Sequence, residues 1–179
     1  MLAHLVQTGF GDFYDGFAHW ALTPRDVMVV LGLALLAGLA GQGAARWSVL
    51  VLPVAWLVAG LIGFQMPELG ALTLATTISV GLTGLLVAWG RALPVVLVVG
   101  LADLAGGIHG LANGSVMVTE DRERLALFGV VTAVTLVTLL GSAGVAAIEK
   151  PAARVVVRVA GSWIAAIALL LLGWQFRPE

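Results

Sequence analysis

The sequence predicts an all-α integral membrane protein: a bundle of six transmembrane helices behind a short polar and aromatic N-terminal segment. Two features of composition and one pattern predict this. Of 179 residues, 60% are hydrophobic and only 11% are charged, and the mean hydropathy is +1.06. Ordinary soluble domains carry roughly 25% charged residues, because a domain of this length must clothe its core in polar groups. The pattern is a series of six apolar runs, each close to the ~20 residues that cross a hydrocarbon core of ~30 Å.

The first run spans about 27–45 and is ended by Arg46. The second covers about 47–65, and the third follows Pro67 and Glu68 to run over about 69–90. The fourth begins after Arg91 and covers about 93–118. A charged cluster, Glu120 to Arg124, separates it from the fifth at about 125–148, and the sixth, about 152–174, follows Lys150 and Pro151. The connections are short, so successive spans should pack as antiparallel hairpins, and residues 24–179 form one transmembrane domain. The 23 glycines lie within the apolar runs, where they favour close helix packing.

Charge excludes some functions and orients the chain. A net charge of −1 leaves nothing to neutralise a phosphate backbone, so no nucleic acid partner is expected. With no cysteine, disulfides and thiolate metal sites are ruled out. Arg46, Arg91, Lys150, Arg154 and Arg158 fall at one side of the bundle, against Arg25, Arg122, Arg124 and Arg177 at the other. By the positive-inside rule the first group faces the cytoplasm. The chain should therefore cross its membrane several times with both termini on the outer side, periplasmic for a bacterial inner membrane.

Residues 1–23 are too polar for a seventh span and read as an interfacial or extracytoplasmic segment. It carries His4, Asp12, Asp15 and His19 among Phe10, Phe13, Tyr14, Phe17 and Trp20. No basic and apolar leader opens the chain as written; a processed precursor cut before His4 would explain that.

Ionisable groups at membrane depth are costly and mark function. The three histidines are His4, His19 and His109, and on this topology all three fall at the outer side. Asp12, Asp15 and His19 are spaced three and four apart, one stripe of a helix. Asp26 lies just after Pro24, where Thr23 as N-cap and Asp26 at N3 would form a capping box; ligation is its competing role. In the fourth run His109 and Asn113 are one turn apart, with Gly106 below them and Asp103 deeper still. The bland alternatives are a glycine packing seam and a histidine satisfied by a carbonyl. Imidazole and carboxylate without thiolate suit Ni²⁺, Co²⁺, Zn²⁺ or Cu²⁺. The candidate metal ligands are thus His19, His109, Asp15, His4, Asp26, Asp103 and Asn113.

Two stretches carry a resemblance to a known family. The opening His4-Leu-Val-x-Thr-Gly-Phe-Gly-x-Phe-Tyr-Asp15-Gly-Phe-x-His19, then Leu22-Thr-Pro24-x-Asp26, resembles the first motif of the HupE/UreJ family. Ile108-His109-Gly110-Leu-Ala-Asn113-Gly114 resembles the second. Many members have a second histidine where this chain has Asn113, and another directly after the Asp26 position, where it has Val27. The shorter UreJ-like branch fits best. The resemblance implies a nickel permease or an accessory protein of nickel hydrogenases and ureases, with motif residues on Asp15, His19, Asp26 and His109.

Two functions follow as expectations. One is transport or binding of a divalent transition metal, nickel first and copper, cobalt or zinc next, with Asp103 as a deeper relay. The other is a non-transporting membrane subunit that docks or metallates a partner metalloenzyme or its assembly machinery, with copper open. The bilayer is a partner in either case, and the chain could self-associate. No Ser/His pair, HExxH or Gly-x-Ser-x-Gly motif occurs, so an enzyme is not expected.

Overall fold

The computed structural model describes residues 8–66, 72–119 and 124–177. Every regular element among them is a helix: α1 (Asp12–Leu22), α2 (Pro24–Ala40), α3 (Gln42–Gly63), α4 (Leu72–Trp89), α5 (Val95–Thr119), α6 (Arg124–Ala146) and α7 (Pro151–Gln175). The five from α3 to α7 are each long and apolar enough to cross a membrane. α1 and α2 pass the same test only together, as a pair bent by 77°.

The bend has a local cause. Pro24 opens α2 and excludes helical geometry at the residue before it, and Thr23 is accordingly extended (φ −97°, ψ 98°). α1 packs against α6. Its Gly16 packs on the Ala126 carbonyl of α6, and Gly129 of α6 takes the Phe13 carbonyl in return. Side chains at these two glycines would strike backbone, so the polar N-terminal helix is locked to the bundle.

The first turn between spans also differs from expectation. Arg46 does not end a helix; it lies inside α3. The chain turns at Gly41, whose φ of 102° is open to glycine and strained for other residues. Beyond Gly41 the chain reads Gln42-Gly43-Ala44-Ala45-Arg46, so the first charge comes five residues after the turn and draws the expected boundary past it.

α3 and α5 run parallel, in the tightest contact of the bundle. Gly106, Gly110 and Gly114 lie against the backbone of Leu52, Trp56 and Gly60 in turn, a glycine every fourth residue on one face. Such small-residue seams let backbones approach where hydrophobic burial gives no drive between helices. α4 and α7 form an antiparallel seam through Gly84 against Ala165 and Gly161. One core cluster joins Leu33, Leu52, Trp56, Val80 and Leu127. A second, toward the other end, joins Leu36, Ala44, Val87, Val98, Val145 and Val157.

Candidate functional site

The helix break and the glycine seam together create the site. The break starts α2 at Pro24, placing Asp26 in its first turn. The seam presses α5 against α3 and turns His109 inward, where it is fully buried. His109 Nδ1 meets Asp26 Oδ1 at 2.6 Å. Asn113 Nδ2, one turn further along α5, donates to Asp26 Oδ2 at 2.8 Å and to the His109 carbonyl at 3.1 Å. Both oxygens of the carboxylate are thus occupied.

The far side of the ring is occupied too. His109 Nε2 lies 2.8 Å from Ser79 Oγ on α4. The carboxylate accepts from Nδ1–H, and Nε2 and the Ser79 hydroxyl share the contact on the other side of the ring. That hydroxyl also lies 2.7 Å from the Thr76 carbonyl, so it has a second acceptor to turn to. Trp56 of α3 leans over the imidazole, with ring centroids 5.4 Å apart and planes at 37°. Four helices therefore fix one histidine.

A carboxylate and an imidazole buried together are held by the strong class of hydrogen bond. Removing either one strands the other, a loss of about 3–5 kcal/mol in buried pairs. One acceptor stays open: Asn113 Oδ1 is buried without a hydrogen-bond partner among the described residues. Its amide nitrogen is committed to Asp26, which leaves a carbonyl oxygen beside the pair that could accept a cation or a donor.

The capping box is not formed. Thr23 Oγ1 donates back to the His19 carbonyl at 2.8 Å, and the Asp26 side chain turns into the bundle instead of toward Thr23. A buried imidazole outcompetes a backbone N–H that can be satisfied elsewhere.

The other candidates divide. Asp15 and His19 are both buried on α1. Asp15 Oδ1 accepts from the Thr8 amide at 2.7 Å and the Thr8 hydroxyl at 2.6 Å, tying the preceding loop to α1. His4 lies outside the described residues. Asp103 does not join the site. It sits on the exposed face of α5, about 120° round the helix from His109, and is no deeper relay of this pair. Among the described residues, no three His, Asp or Glu side chains stand close enough to hold a metal together.

Two participants are not legible as such in the sequence. Trp56 gives no signal beyond being a tryptophan in mid-span. Ser79 reads with Thr73, Thr76, Thr77 and Thr83 as one of a row of hydroxyls that bond back to helix carbonyls. Thr76, Thr77 and Thr83 do so; of this row, Ser79 also reaches across to His109. A cavity of about 560 Å³ opens elsewhere, between α3 and α6 beside Gln42, Arg46, Val49 and Ser142. It does not touch the His109 pair, which is enclosed.

The family model of the HupE / UreJ proteins matches residues 1–171 of the chain. No curated protein matches the chain, and no solved structure does.

Proposed function

This chain belongs to the HupE/UreJ family, and from that premise we propose that it binds a divalent transition metal ion, nickel first, for passage across or delivery at the membrane. The observation that carries this reading is the Asp26–His109 contact at the helix break. Histidines that ligate metals commonly donate their other ring N–H to a carboxylate, which fixes the tautomer and raises the basicity of the ligating nitrogen. Asp26 does this for Nδ1, and Asn113 steadies Asp26. Nε2 is then the ligating atom, and Ser79 its resting partner. The open Asn113 oxygen offers a second donor of a type that borderline divalent ions accept.

The site is closed, with His109 wholly buried. Loading requires an opening, and the bend at Thr23 is the natural hinge: broken helices mark the binding sites of many transporters. His19 sits on the other arm of that hinge, four residues before Thr23, and would complete the ligand set when the arms move. The ion is cargo here, so a site that assembles only on loading suits release better than a rigid cage.

The test is nickel titration of the purified protein by calorimetry, beside uptake of radioactive nickel into proteoliposomes. One ion bound per chain, lost in His109→Ala and weakened in Asp26→Asn, supports the reading; absence of binding by the wild type rejects it. Binding without uptake would favour the second reading, a metal-delivering subunit. The exposed aromatics at the start of the chain's first helix, Phe10 just before α1 and Tyr14 within it, favour that reading as a docking surface.

A further inference from the structure

The described spans hold one carboxylate that no described residue answers. Asp103 is the ninth of 25 residues in α5, about 12 Å along from Val95, well inside the hydrocarbon. Its side chain is exposed and has no hydrogen-bond partner among the described residues. A carboxylate facing lipid at that depth is expensive and ordinarily pairs with something. The surface around it is built for close approach. Gly100 and Gly107 flank Asp103 at three and four residues, on its own stripe of the helix. A Cβ added at either would meet nothing within 4 Å. These glycines therefore serve no seam inside one copy, unlike Gly106, Gly110 and Gly114.

A matching feature stands on α7. Trp163 is the thirteenth of its 25 residues, at mid-span, where tryptophan is unusual because it prefers the interfaces. It is 67% exposed, and its indole N–H, which can only donate, has no partner among the described residues. The two groups lie at one depth. α5 and α7 both run antiparallel to α4, and Val98 and Val157 share one core cluster. Asp103 lies five residues beyond Val98 and Trp163 six beyond Val157, so their levels differ by about 1.5 Å.

We propose that the chain self-associates in the membrane through these faces, with Trp163 of one copy seated in the Gly100–Gly107 notch of the next and donating to Asp103. A bulky donor then fills a gap lined by glycine and satisfies an acceptor. Packing α5 on α5 would set two carboxylates against each other instead. The contact is head to tail, each copy giving a different face, so a closed assembly is a ring rather than a two-fold dimer.

The chain has no cysteine, which makes disulfide trapping clean. Gly107→Cys lies nine residues past Val98 on α5, and Ala166→Cys nine past Val157 on α7, so the two stand at one level; Ala166 is exposed. Two differently tagged copies, one with each substitution, are co-expressed and oxidised in native membranes. The expected result is a mixed cross-link between the two tags. Asp103→Leu, and separately Trp163→Phe, should lower its yield about three- to tenfold, the range of one interhelical hydrogen bond; Asp103→Asn should keep most of it. Far-UV circular dichroism of Asp103→Leu should match the wild type, because no described residue of its own copy bonds to the side chain. No mixed cross-link, a Gly107→Cys self-cross-link that outpaces it, or the mass of a single copy for the wild type in native nanodiscs would each overturn the proposal.

Discussion

His109 Nδ1 and Asp26 Oδ1 lie 2.6 Å apart although 83 residues separate them, and neither group has an exposed face. That contact ties the first turn of α2 to the middle of α5. It bears on stability and function at once, so the two can be separated by choice of substitution.

Asp26→Ala should destabilise the bundle by about 3–5 kcal/mol, the usual loss when one partner of a buried pair is removed. Asp26→Asn should lose less, because the amide oxygen can still accept from Nδ1. Asp26→Ala combined with His109→Ala should lose less than the sum, since no group is then left stranded. Reversible thermal unfolding in detergent of the wild type, Asp26→Ala, His109→Ala and the double variant measures this coupling; strict additivity would mean that the pair is not coupled.

Nickel affinity should fall about 10- to 100-fold in Asp26→Asn, the effect of losing an orienting carboxylate, and disappear in His109→Ala. Equal losses in both would mark Asp26 as a direct ligand. Calorimetric titration of both variants distinguishes the roles.

Ser79→Ala frees Nε2 of its resting partner. If Nε2 is the ligating atom, nickel binding should persist or tighten, while stability drops by about 1 kcal/mol for one lost hydrogen bond. Loss of binding would instead make the hydroxyl a ligand.

Asn113→His places a third imidazole or carboxylate group beside Asp26 and His109, as in family members with the fuller motif. Metal affinity should rise about tenfold or more, in line with an added nitrogen donor for a borderline ion. A fall in affinity would show that the Asn113 bond to Asp26 matters more than ligand number.

Gly110→Ala pushes a methyl into the Trp56 carbonyl across the α3–α5 seam. Overpacking there should cost about 1–3 kcal/mol and shift His109 against Trp56. Gly144→Ala on α6, where an added Cβ meets nothing within 4 Å, should leave the unfolding temperature nearly unchanged. The pair of variants separates seam glycines from open ones.

The sequence by itself determined that this chain lives in a membrane, because a residue's transfer between water and hydrocarbon is a property of its own side chain and sums along the chain. Helix ends are legible within two or three residues wherever a charge or proline marks them, as at Lys150 and Pro151. The turn at Gly41 is not, because the nearest charge, Arg46, lies five residues further on, inside α3. His109, Asp26 and Asn113 stand out in the sequence as polar groups at depth, but not as partners. Spacing relates residues on one helix; which helices meet is set by the glycine seams and by the bend at Thr23. Only the tertiary structure could therefore join Asp26 to His109, recruit Ser79 and Trp56 from two further helices, and turn Asp103 outward. A helix carries groups on every side, and its neighbours decide which side is inside.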